Sequence, residues 1–182
     1  LTFGRFALSS FNGATVIPKI EKVAYHEAGH AMASWVLKIQ FSEVSIISDD
    51  ESEGRVTNRL PDSFFDDSNV NRQRRLFEKH ILILLAGGLA EEKLTRQEDI
   101  DGNASDYKSA AELALRTTGS EAEANAFLLW LTERARNMVD LPTYWAAIEA
   151  LAAVLLHSKK LSARKAREIM RQASIGRTLQ TG

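Results

Sequence analysis

Lys19-Ile20-Glu21-Lys22-Val23-Ala24-Tyr25-His26-Glu27-Ala28-Gly29-His30-Ala31-Met32-Ala33-Ser34-Trp35-Val36 is the stretch that decides how this chain is read. Apolar positions Ile20, Val23, Met32, Val36 and Ile39 recur through it at helical spacing, and Pro18 stands where a helix favours proline, in the first turn. The pattern predicts a helix from Lys19 to Ile39. Inside it lies His26-Glu27-Ala28-Gly29-His30, an H-E-x-x-H motif. Side chains four apart project from one helix face, so His26 and His30 can both point at one zinc ion, with Glu27 beside it to handle protons. Zinc brings the pKa of bound water towards 7, and a neighbouring carboxylate can take the proton during attack on a carbonyl. A shuffled chain of this composition would contain the motif roughly once in one or two hundred trials, so its surroundings must carry the rest.

After this helix the period changes. Phe41 to Ile47 alternates, with Val44 and Ile46 against Glu43 and Ser45, and reads as a strand. The acidic run Asp49 to Glu53 with Gly54 reads as a turn, and Arg55 to Leu60 as a returning strand ended by Pro61. A long helix is expected from Asn69 to Leu94, with Leu76, Phe77, His80, Ile81, Leu84 and Leu85 inward. Its Ala86-Gly87-Gly88 stretch is almost without side-chain bulk; glycine costs a helix about 1 kcal/mol relative to alanine, so another backbone is expected close by. Further helices are expected over 103–118, 121–139, 143–157 and 162–174, with breaks at Leu141-Pro142 and Ser158-Lys159-Lys160. The fold class is therefore α+β and mainly α-helical: a zinc-helix core, a small sheet of two or three strands, and a C-terminal helical bundle. Residues 1–17 read as an arm, 18–175 as the domain, and 176–182 as a flexible tail.

The bulk properties remove other classes. At 182 residues the chain is one domain of ordinary size, and 45% hydrophobic with 26% charged residues is ordinary for a globular protein. A net charge of -1 offers no electrostatic handle for nucleic acid. There is no cysteine, which excludes disulfides, zinc ribbons and cysteine nucleophiles and agrees with a reducing, cytoplasmic setting. The longest apolar run, Ile81 to Ala90, is broken by Gly87 and Gly88 and falls short of the roughly 18 residues of a transmembrane helix.

A catalytic zinc usually takes three protein ligands and leaves one position open. Spacing alone leaves His80, Glu91, Glu92, Asp99, Asp101 and Asp106 as candidates for the third. Asp106 would also suit the first turn of a helix capped by Asn103, where acids are favoured by the macrodipole.

The order of motifs resembles the peptidase domain of the FtsH family of ATP-dependent zinc proteases, peptidase family M41. The matching segments are His26 to Ala31, Gly54 to Pro61, Leu85-Ala86-Gly87-Gly88-Leu89-Ala90-Glu91-Glu92, and Gly102-Asn103-Ala104-Ser105-Asp106-Tyr107 with Ala110. Ile148 to Ala152 and Leu161-Ser162 resemble the closing helices. The likeness runs from Pro18 to Ala173.

The resemblance implies zinc held by His26, His30 and Asp106, Glu27 as general base, and Glu91 hydrogen-bonded to a ligand histidine. It also implies a strand edge at Val56 and Thr57 that pairs with an extended polypeptide substrate. It implies a metallopeptidase, a ring-forming homo-oligomer and an ATPase that feeds it. No G-x-x-x-x-G-K-[ST] phosphate loop occurs in the sequence, so a separate ATPase partner is expected. The alternative, from another class, is a non-catalytic zinc-binding module kept for regulation or oligomerisation.

Overall fold

The computed structural model describes residues 17–47, 54–58, 70–99 and 102–180. The arm up to residue 16, the acidic turn at 49–53, the strand end at Arg59-Leu60 and the segment Pro61 to Asn69 lie outside them. Six helices and three strands follow in the order α1 (Lys19–Val36), β1 (Phe41–Ser45), β2 (Arg55–Asn58), α2 (Val70–Thr95), α3 (Ala104–Thr117), α4 (Glu121–Asp140), α5 (Pro142–Ser158), β3 (Lys160–Ser162) and α6 (Ala163–Gln180). The mainly helical α+β class holds.

Helix α1 is the hub. It packs along α2, then against α5, and its buried face carries Ala24, Ala28, Ala31 and Met32. Small residues let α1 and α2 approach closely. A Cβ on Gly29 would lie 2.5 Å from the carbonyl oxygen of Ala86 and 2.9 Å from the Ala90 side chain. The close backbone expected along Ala86-Gly87-Gly88 is found at Ala86, with Gly29 making the room. Ile20, expected on the inward stripe, is 40% exposed because the first turn of α1 projects past the core. The helix ends at Val36 rather than Ile39. Lys38 takes φ 58°, its N–H donates to Trp35 O, and Ile39 N–H donates to Ser34 O. This is a Schellman-type end without the usual glycine, so composition did not mark it.

The sheet order is β2-β1-β3, antiparallel throughout. Val44 pairs with Val56 on one side and Leu161 on the other. Strand β3 arises where the sequence reads as a break and a helix start. Three residues carry no legible period, and their pairing with β1 spans more than a hundred residues. Ser162 then stands before α6, where its hydroxyl accepts from Lys165 N–H at 3.4 Å. Helix α6 continues through Gly176 to Gln180, so the tail expected to be loose from Gly176 is helical for most of its length.

The remaining helices close the core around α1 and α2. Helix α4 packs on α2 and α3, and α5 on α1 and α6, burying Leu128, Leu131, Ile148, Leu151, Leu155 and Met170. Among the described residues no single helix is long and apolar enough to cross a membrane.

Candidate metal centre

One turn of helix separates His26 from His30, and their rings meet edge to face with centroids 4.6 Å apart. Their Nε2 atoms lie 2.9 Å from each other. Helix α3 delivers Asp106 to the same point: its Oδ2 is 3.0 Å from His26 Nε2 and 2.9 Å from His30 Nε2. Three donor atoms thus form a triangle with edges of 2.9–3.0 Å. Ligands of one ion with bonds of about 2.0–2.1 Å stand ~3 Å apart, so the set fits a single divalent metal. Among the described residues this is the one group of His, Asp and Glu side chains so arranged.

The surroundings prepare the donors. His30 Nδ1–H donates to the carbonyl of Ile83 at 2.8 Å, which leaves the Nε2 lone pair facing the triangle. His26 Nδ1 lies 3.6 Å from Glu91 Oε2, an ion-pair separation rather than a hydrogen bond, and Lys22 Nζ lies 3.9 Å from the other Glu91 oxygen. Glu91 is buried, as is Glu27. A Cβ on Gly87 would meet His30 Cε1 and Nε2 at 2.5 Å and His26 Nε2 at 2.9 Å. The bare face of α2 at Gly87 is therefore the cradle in which the two rings sit.

Charge in the site favours a cation. Burial depresses the basicity of His26, but Asp106, Glu91 and Glu27 outweigh it and push its pKa up to about 10. Burial opposes ionisation of Asp106, yet His30 and His26 hold its carboxyl well below the usual carboxylate range. Glu27 goes the other way. Burial raises its pKa, partly offset by His30 and His26, and its Oε2 is buried with no hydrogen-bond partner among the described residues. A buried acceptor of this kind is poised to take a proton from a bound molecule.

A cavity of about 840 Å³ opens over these groups, lined by His26, Glu27, His30, Asp106, Val23 and Val56 among others. Val56 lies on β2, the edge strand nearest the site. Thr57 follows it in the same strand. The other candidates for a third ligand lie outside the triangle, although Glu91 and Asp99 line the same cavity. His80 is buried in α2 away from the triangle, Glu92 pairs with Arg136 at 2.8 Å, and Asp99 Oδ1 accepts from Gly102 N–H at 2.9 Å. Asp101 lies outside the described residues. Asn103 precedes α3 as expected, but its side chain makes no capping hydrogen bond. It packs on Gly88 instead, where an added Cβ would meet it at 2.8–3.0 Å.

Sequence reasoning missed three contributors. The Ile83 carbonyl is backbone and carries no side-chain signal. Lys22 sits four residues before His26, a helical neighbour that spacing could have flagged. Gly54 reads in the sequence as a turn residue and as the start of the family-like segment to Pro61, not as a neighbour of Glu27.

Comparison with known proteins agrees with this geometry. The model of peptidase family M41 matches residues 17–120, more than half of the chain. The chain is 36% identical over 98 residues to ATP-dependent zinc metalloprotease FtsH 1 of Rhodopirellula baltica, covering 53% of this chain and 14% of that protein. It is 37% identical over 108 residues to ATP-dependent zinc metalloprotease FtsH of Aquifex aeolicus, covering 57% of this chain and 16% of that protein. The matches thus span about a sixth or less of these relatives' length. With the family match spanning α1 to the end of α3 and so every residue of the triangle, the chain belongs to peptidase family M41.

Proposed function

We propose that this chain is a zinc-dependent metallopeptidase that hydrolyses peptide bonds in unfolded or flexible polypeptides. The observation that carries the reading is Glu27, a buried carboxylate with an unpartnered oxygen in the same cavity as the ligand triangle. A purely structural metal site has no use for a base. The names of the two relatives, both zinc metalloproteases, support the same metal and reaction.

In this reading His26, His30 and Asp106 would hold the ion. When bound, zinc supplies a Lewis acid that polarises the scissile carbonyl and acidifies water. The chain's own groups do the rest. Glu27, its proton affinity raised by burial, takes the proton of the attacking water and hands it to the leaving amine. Ile83 O holds the His30 ring by its Nδ1–H, and Glu91 faces Nδ1 of His26. Val56 and Thr57 offer the outer edge of β2 to an extended segment, which pairs through backbone groups and so tolerates varied side chains. Unfolding of structured substrates is assigned to an ATPase module, in keeping with the ATP dependence in the relatives' names.

The test is hydrolysis of casein without ATP by zinc-loaded protein, wild type against Glu27→Gln. The wild type should cleave. The variant should bind zinc equally and lose cleavage by roughly 10²–10⁴-fold. Cleavage surviving in Glu27→Gln sinks the assignment of the base. Zinc-loaded wild type that cleaves nothing points instead to the regulatory module.

A further inference from the structure

Gly54 opens β2 directly over the side chain of Glu27. A Cβ built on Gly54 would lie 2.7 Å from Glu27 Oε1, 2.9 Å from Glu27 Cγ and 2.9 Å from Val23 Cγ1. These contacts are too short for any side chain to coexist with the present position of the carboxylate. Gly54 and Glu27 also line the same cavity as His26, His30 and Asp106.

The contrast with the other tight glycines is chemical. At Gly29 the obstacle is a backbone carbonyl of α2, which cannot move without moving a helix. At Gly54 the nearest obstacle is the tip of one flexible side chain. Rotation of the Glu27 side chain relieves its own contacts, whereas Val23 Cγ1, at 2.9 Å, must shift as well. The catalytic carboxylate is thus a part that yields.

We propose that Gly54 is a positioning residue for Glu27: its bare Cα fixes where the carboxylate of the base can stand. The inference rests on the metallopeptidase reading for its consequence, but the contact itself does not depend on hydrolysis. Gly54→Ala therefore separates two properties. Zinc affinity stays as in the wild type, since none of the three atoms nearest the new methyl belongs to His26, His30 or Asp106, while whatever depends on the placement of Glu27 is lost.

The readout is binding of acetohydroxamate to the zinc-loaded protein, a probe that chelates the ion and shares its proton with the neighbouring carboxylate. Affinity is measured in wild type, Gly54→Ala, Glu27→Gln and the double variant, closing a double-mutant cycle. Gly54→Ala alone should weaken the probe about tenfold or more, and add less than about twofold on top of Glu27→Gln. Equal losses in both backgrounds would show that the methyl acts through the strand or the groove and not through Glu27, and would overturn the proposal. So would no loss in either. If Gly54→Ala folds poorly, the same cycle is run in a Val23→Ala background, which removes the other neighbour and leaves the contact of the new methyl with Glu27. Failure of the wild type to cleave casein strikes the peptidase reading alone, because the cycle reports on geometry whether or not the chain hydrolyses peptides. In an active preparation, Gly54→Ala should lower kcat at least tenfold with KM changed less than twofold.

Discussion

His30 donates its Nδ1–H to the carbonyl oxygen of Ile83, 2.8 Å away and 53 residues further along the chain. The bond ties the second histidine of α1 to the wall of α2 and settles which ring nitrogen is left for a metal. It also links the packing of the two helices to the site: whatever shifts α2 along α1 turns the His30 ring.

Replacing Asp106 by Asn keeps its shape and removes the charge that faces both histidines. Zinc affinity, read by competition with a chelator, should fall by more than the roughly 10–100-fold that loss of an outer partner brings. Glu91→Gln, which faces His26 from its Nδ1 side and Lys22 but not the triangle, should fall within that range. The reverse order would mean that Asp106 is not a ligand.

Gly29→Ala should destabilise the fold by about 2 kcal/mol or more in urea unfolding, because the new methyl meets the Ala86 carbonyl at the tightest point of the α1–α2 contact. Gly176→Ala should do the opposite. Nothing lies within 4 Å of that position in α6, and alanine is the better helix former by up to about 1 kcal/mol.

His80 is buried in α2, and its pKa lies below the ordinary histidine value because burial, and then the charge of Lys79, disfavour the imidazolium. The unfolded chain therefore binds the extra proton more readily. The stability tied to His80 is complete above about pH 6.5 and is lost as the pH falls through its folded value. Urea unfolding of chelated protein at pH 5 and pH 7.5 should show a smaller difference in His80→Gln than in the wild type. An identical difference would remove His80 from the account.

Ser120 caps α4, its Oγ accepting from Glu123 N–H at 3.2 Å, while Glu123 Oε2 accepts from Gly119 N–H at 2.9 Å. Ser120→Ala should lower stability by about 1 kcal/mol without changing zinc affinity, as thermal unfolding and chelator competition would report. The Ser120-Glu121-Ala122-Glu123 spacing is a capping signature that the sequence displays openly.

Much of the fold was legible because its signals are local. Helical spacing placed α1, α2 and α3 to within a few residues, and the switch to alternation at Phe41 placed β1. The misses have separate causes. Strand β3 owes its existence to a distant partner, the end of α1 to a lysine in a glycine's conformation, and the helical continuation through Gly176 to a residue that usually breaks helices.

The sequence by itself determined that His26, Glu27 and His30 share one region of one helix, since a 3.6-residue period fixes the face of every side chain four apart. It determined the family likeness through the order of its motifs. Spacing left Asp106 among six candidates and the family likeness pointed to it; only the tertiary structure brings its Oδ2 to within 2.9–3.0 Å of both ring nitrogens. Only there did Ile83 O, Gly87 and Gly54 acquire their places around His26, His30 and Glu27. Convergence of that kind is set by how closely α1, α2 and α3 pack, which depends on contacts between residues 50 to 80 positions apart that no local period records.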